Sequence, residues 1–98
     1  MNRSVVAELI QREHPRIREL GVARLALFGS AARDEMNDAS DIDVLVVFHP
    51  GHKTFDNFME LKLLLEDLFP NKRIDLVLES SLKPIIRDKV LSEARDVA

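Results

Sequence analysis

The chain has 98 residues, 46% of them hydrophobic and 32% charged, with a formal net charge of −3. That length supports one modest core, and that balance excludes a disordered, highly charged segment. With no cysteine, disulfides and thiolate metal sites are excluded as well.

No apolar run approaches the roughly 18 residues of a membrane span. Residues 1–13 lack the apolar core of a signal peptide. The expected setting is therefore cytoplasmic, away from the membrane. Long nucleic acid is a poor fit as a partner. No Lys/Arg cluster stands out, and five Phe with no Trp or Tyr supply few stacking surfaces.

Residues 4–13 place Val5, Val6, Leu9 and Ile10 at helical spacing, with Ser4 as the expected cap. Pro15 kinks or restarts that helix, Ile17 and Leu20 continue its apolar face, and Gly21 ends it. Residues 23–28 (ARLALF) predict a strand, residues 30–36 a short helix opened by Ser30, and residues 37–40 (NDAS) a turn. Residues 41–48 (DIDVLVVF) are apolar on both faces beyond Asp43, as in a central strand covered on both sides.

His49-Pro50-Gly51 closes the strand. Thr54 caps a helix whose core positions are Phe55, Phe58, Met59, Leu61, Leu64, Leu65, Leu68 and Phe69. Residues 73–78 (RIDLVL) predict a third strand. Ser80 or Ser81 caps a last helix with Pro84 in its first turn, and Leu82, Ile85, Ile86, Val90, Ala94 and Val97 form its buried stripe. The expected fold is α/β (α+β): one domain over residues 1–98, with a small mixed β-sheet of three or more strands packed with helices.

Asp41 and Asp43 interrupt this apolar pattern at the mouth of the second strand. Residues i and i+2 of a strand share a side, with Cα atoms roughly 6–7 Å apart. Two bare carboxylates so placed repel each other, and a divalent cation removes the conflict. An all-oxygen site without cysteine favours Mg²⁺ or Mn²⁺. Asp75 interrupts the next strand in the same way and joins the cluster if the two strands are neighbours in register. Three carboxylates around two metals roughly 3.5–4 Å apart suit phosphoryl or nucleotidyl transfer. Across a gap of ten residues between Ser30 and Asp41, Gly29 leaves room for a ligand and Ser30 offers a hydroxyl at a helix start, where a phosphate is favoured.

Each feature also has an ordinary reading. Gly-Ser serves as a capped turn, Asp-x-Asp as a solvated turn, and Asp75 as the ion-pair partner of Arg73 or Arg24. Their coincidence with strands in this order favours the site. His14, His49 and His52 show no zinc spacing and read as solvated residues.

The set Gly29-Ser30, Asp41-Ile42-Asp43 and Asp75, within "LALFGSAAR", "SDIDVLVVF" and "KRIDLVLESSLKPIIRDKV", resembles the nucleotidyltransferase superfamily that includes DNA polymerase beta. The small size resembles its minimal nucleotidyltransferase (MNT) group. One departure is visible: that group commonly has Gly after the Arg that follows Gly-Ser, whereas here Arg33 is followed by Asp34, which adds a negative charge.

The resemblance implies a polymerase beta-like nucleotidyltransferase fold and an ATP substrate. Gly29 and Ser30 would hold its β- and γ-phosphates, with Arg33 a further phosphate contact. Asp41 and Asp43 would hold two Mg²⁺ ions, and Asp75 would complete one metal site and help activate the acceptor hydroxyl. It further implies transfer of AMP to a tyrosine of a HEPN-type helical toxin, the chain acting as antitoxin. Two other readings stay open: a non-catalytic antitoxin that neutralises by complex formation, and a small-molecule nucleotidyltransferase subunit. The acceptor, the base preference and a homo- or hetero-oligomeric state are left open by the sequence.

Overall fold

The computed structural model describes residues 2–37 and 41–97. The chain opens with helix α1 (Arg3–Gln11) and α2 (His14–Glu19). Pro15 sits in the first turn of α2, where its missing N–H costs nothing. Asn2, not Ser4, caps α1: its Oδ1 accepts from the N–H of Val5 at 3.0 Å. Gly21 ends α2 with φ at +81°.

Strand β1 (Val22–Phe28) leads directly into α3 (Gly29–Ala32). The short helix expected over residues 30–36 is a single turn, because the chain turns at Arg33 and Asp34. Asp34 has φ at +60°, the left-handed region that Asp tolerates and Gly prefers. Its Oδ1 accepts from the N–H of Arg3 at 2.9 Å, and Arg3 Nη1 donates to the carbonyl of Ala32 at 2.7 Å. The residue that replaces the usual Gly thus caps the positive end of α1. Asp34→Ala, which loses both the cap and the tolerance for this conformation, is expected to cost about 1–2 kcal/mol. Asp34→Gly, which loses only the cap, is expected to cost less than about 1 kcal/mol. Urea unfolding of the three proteins checks that order.

Of the turn expected over residues 37–40, Asp38, Ala39 and Ser40 lie outside the described residues. Strand β2 (Ile42–Phe48) follows, then α4 (Phe55–Leu68), β3 (Ile74–Leu78), a 3₁₀ turn (Glu79–Ser81), α5 (Pro84–Glu93) and β4 (Arg95–Asp96). Thr54 caps α4 as expected, accepting from the N–H of Asn57 at 3.1 Å. Neither Ser80 nor Ser81 caps α5; both belong to the 3₁₀ turn, and Lys83 holds the cap position without a side-chain bond.

The sheet order is β3-β2-β1-β4, with β2 parallel to β3 and both other pairs antiparallel. This mixed four-stranded sheet packed with helices has the expected fold class. Four strands fall within the expected three or more, and the fourth lies where the last helix was expected to continue. Helix α5 stops at Glu93 because Arg95 and Asp96 extend along β1, where the N–H of Val97 donates to the carbonyl of Leu25 at 2.8 Å.

Strand alternation divides the sheet into two unlike faces. Leu25 and Leu27 of β1, Ile42, Val44 and Val46 of β2, and Ile74 and Leu76 of β3 join the main core. Val6, Ile10 and Ile17 from the first helices and Leu61, Leu65 and Phe69 from the α4 region complete it. The opposite face carries Ala26, Asp43, Leu45 and Asp75, and α5 lies beside β1.

Ala26 and Leu45 are buried there, yet α5 itself contains no buried residue. Its expected stripe is therefore corrected: Ile85 and Ile86 are exposed, and Ala94 and Val97 follow the helix rather than sharing its face. Phe55 is also exposed, because it is the first residue of α4 and points past the end of the core.

Candidate active site

The site is a product of strand direction. Because β1 runs against β2, the end of β1 meets the start of β2, and parallel β3 begins at the same level. The ladder sets Phe28 opposite Asp43 and Asp43 opposite Asp75. It begins where the N–H of Ile42 donates to the carbonyl of Arg73 at 2.9 Å. Alternation then sends Ile42 and Ile74 into the core and leaves the neighbouring acids on the open face. Asp41 stands one residue before β2, two residues from Asp43.

Gly29 adjoins the acids directly. Its φ is +62°, and a Cβ added there would overlap Asp43 Oδ2. Glycine is required twice, by the backbone and by the carboxylate lying against it. Ser30 is half-exposed in the first turn of α3, and its carbonyl accepts from the N–H of Glu35 at 2.9 Å. Arg33 lies between two carboxylates, with Nη1 3.1 Å from Glu93 Oε2 and Nε 3.3 Å from Glu35 Oε2.

The crowding has an electrostatic signature. Asp43 is pushed up from 3.8 to about 6, first by burial and then by the charges of Asp75 and Asp41. A hydrogen bond from protonated Asp43 to Asp75 adds to the rise, while Arg33 opposes it. The ordinary alternative for Asp75, an ion pair with Arg73 or Arg24, is not present among the described residues: Arg24 pairs with Asp96 of β4 instead. Asp75 faces another acid.

A divalent cation fits this donor set, because hard carboxylate oxygens held together against their own repulsion are what such an ion neutralises. Among the described residues no three carboxylate or imidazole groups already converge on one point. The fit rests on the Asp43–Asp75 pair with Asp41 beside it.

The acids also set a pH dependence. The folded chain holds the Asp43 proton more tightly than the unfolded chain, so stability is highest below about pH 4 and is lost as pH rises to about 6. Solvent screening at this partly exposed position trims the linked free energy to about 1 kcal/mol. With divalent ions chelated, the stability difference between Asp43→Asn and the parent should therefore grow from pH 4 to pH 6 and level off above. Urea midpoints across that range measure it.

His49 and His52 are exposed, with ring centroids 6.5 Å apart, and neither lies near the acids. A cleft of about 390 Å³ opens at the far ends of β2 and β3, lined by Val46, Phe48, Lys53, Leu78 and Arg87. It contains none of the three acids. Sequence reading missed Glu93 and the role of Asp34. The group's usual Gly at the Asp34 position was a usable signal of left-handed backbone.

Residues 8–97 match the Nucleotidyltransferase domain family. A protein of Methanocaldococcus jannaschii provisionally described as a protein adenylyltransferase is 37% identical, over 94% of this chain and 97% of its own. Protein adenylyltransferase MntA of Thermococcus cleftensis is 42% identical, over 74% of this chain and 72% of its own. Among solved structures, one provisionally assigned as a minimal nucleotidyltransferase is 36% identical and covers 97% of this chain and 95% of its own, with a TM-score of 0.83. The fold also matches a chain of the complex between a tri-AMPylated Shewanella oneidensis HEPN toxin and its MNT antitoxin, at 19% identity, TM-score 0.62, 94% of this chain and 71% of that one. Among the described residues no helix is long and apolar enough to cross a membrane. The chain belongs to the nucleotidyltransferase domain family, as one of its minimal nucleotidyltransferases, and is a nucleotidyltransferase enzyme.

Proposed function

We propose that this enzyme transfers AMP from ATP to a hydroxyl, that of a tyrosine on a HEPN-type helical toxin, and so acts as the toxin's antitoxin in the cytoplasm. The observation that carries the reading is the in-register pair of Asp43 and Asp75, with Asp43 against the side-chain-free Gly29. A phosphate turn and a cation-seeking acid pair sit at one point of the sheet. The protein adenylyltransferase description of two relatives supports the AMP transfer. The AMPylated HEPN toxin in the Shewanella oneidensis complex supports the acceptor class.

In this reading Gly29 lets the triphosphate tail approach the backbone, and Ser30 supplies a hydroxyl donor to the β- and γ-phosphates. Arg33 adds a cationic contact. Asp41, Asp43 and Asp75 would hold two Mg²⁺ ions, which when bound neutralise the phosphates and polarise the reacting oxygens. Asp75, exposed at the sheet's edge, accepts the acceptor hydroxyl's proton or directs it away. The acceptor oxygen forms a bond to the α-phosphorus, the bond from that phosphorus to the bridging oxygen breaks in line, and pyrophosphate leaves. Positioning and charge supply the rate.

A non-catalytic antitoxin was the competing reading, helped by the extra charge of Asp34. That carboxylate is turned to the N-terminus of α1, where it accepts from Arg3. It therefore does not weigh against a bound phosphate. Replacing Asp41 and Asp43 by Asn separates the readings. Retained partner binding with lost neutralisation supports catalysis, and retained neutralisation contradicts it. A pulldown from the source cell that recovers no small helical protein would count against the HEPN acceptor.

A further inference from the structure

Arg33 is a cation whose charge acts on the candidate site, and its neighbours define what it can do. It follows α3 at the turn, with a backbone φ of −81°. Its charge reaches Asp43. Its guanidinium is held from outside the acid cluster: Nη1 donates to Glu93 Oε2 at 3.1 Å and Nε to Glu35 Oε2 at 3.3 Å. Nη2 takes part in neither contact. Nε and Nη1 lie on opposite edges of the guanidinium, so the two acids clamp it between them and leave Nη2 outside the clamp.

Glu93 is not there by the chance of a long surface side chain. It is the last residue of α5, and the chain becomes extended at Ala94 to pair Arg95 with Leu27 and Asp96 with Ala26. That pairing brings the end of α5 to the end of β1, where α5 packs against α3. The Arg24–Asp96 ion pair and the Val97–Leu25 hydrogen bond fasten the same segment to β1. Glu93 is also the better buried of the two acids, its side chain 27% exposed against 61% for Glu35. Side-chain entropy and screening weaken a grip on the exposed Glu35 more than one on Glu93.

We propose that Glu93 is a positioning residue: fixed by the β4 strand, it holds the Arg33 guanidinium at the edge of the acid site so that the fork meets the nucleotide's phosphates. This rests on the phosphate role given to Arg33 above. A planar guanidinium recognises phosphate through orientation as well as charge, so an unheld Arg33 binds less well even though its charge remains. The C-terminal segment then tunes nucleotide affinity without touching nucleotide.

Calorimetric titration of the isolated chain with Mg·ATP tests this, with no acceptor needed. Arg33→Ala and Glu93→Ala should each weaken ATP binding about tenfold, and the double variant should be no weaker than either single. Glu93→Gln keeps an oxygen acceptor for Nη1 and should lose only about twofold to threefold. Melting temperatures should shift by no more than about 4 °C, since the pair is partly exposed. Unchanged ATP binding in Glu93→Ala and Glu93→Gln, with Arg33→Ala weakened, would overturn the positioning role and leave the phosphate contact standing. Effects that multiply in the double variant would overturn it as well. Unchanged binding in Arg33→Ala would remove the phosphate role of Arg33 and the proposal with it, while the metal acids would still be judged separately by Asp43→Asn.

Discussion

Asp43→Asn is expected to lower AMP transfer on the order of 10³-fold while making the protein more stable. The two effects come from one cause. Burial first, and then the charges of Asp75 and Asp41, push the protonation of Asp43 up to about 6. Above that pH three negative charges share one corner of the sheet, held together by backbone register and not by attraction. An amide of the same shape removes one of them. Folding should gain about 1 kcal/mol after screening, or ~4–8 °C in melting temperature at neutral pH with divalent ions chelated. The charge that would hold the cation is lost with it. A thermal melt beside an activity measurement checks both. A variant that is inactive and less stable would mean that Asp43 is an ordinary structural residue.

Gly29→Ala should damage stability and activity together. The residue lies at φ +62°, where an L side chain is strained, and its Cβ would overlap Asp43 Oδ2. The expected loss is about 1–3 kcal/mol of stability. Activity should fall roughly 100-fold, because the carboxylate must leave its position. The double variant Gly29→Ala/Asp43→Ala relieves the overlap and should recover part of the stability and none of the activity. Urea unfolding of the two variants measures this. Equal stability of Gly29→Ala and the parent would show that Asp43 does not lean on the turn.

The acids were legible in the sequence because strands alternate. Asp43 and Asp75 each break an apolar run at a position whose neighbours are core residues, Ile42 and Val44 in one strand and Ile74 and Leu76 in the other. Their juxtaposition was conditional on register, which depends on tertiary pairing and is supplied by the parallel ladder. Asp34 looked like an added charge near a phosphate, and only the left-handed turn and the Arg3 N–H show why an acid stands there. The last helix misled for a physical reason. Leu82, Ile85, Ile86 and Val90 have helical spacing, but α5 packs beside β1 and α3 outside the main core and buries none of its residues. A strand of two residues after that helix has no period to detect, so β4, and with it the reach of Glu93 to Arg33, was invisible.

The most direct measurement is label transfer. The chain is incubated with Mg²⁺, α-labelled ATP and extract from its own source, beside the Asp43→Asn variant and a parallel reaction with γ-labelled ATP. A protein band that carries the α label, carries no γ label and disappears with Asp43→Asn is the predicted result, and its mass identifies the acceptor. Absence of any α-labelled protein, with partner binding preserved, would contradict AMP transfer to a protein.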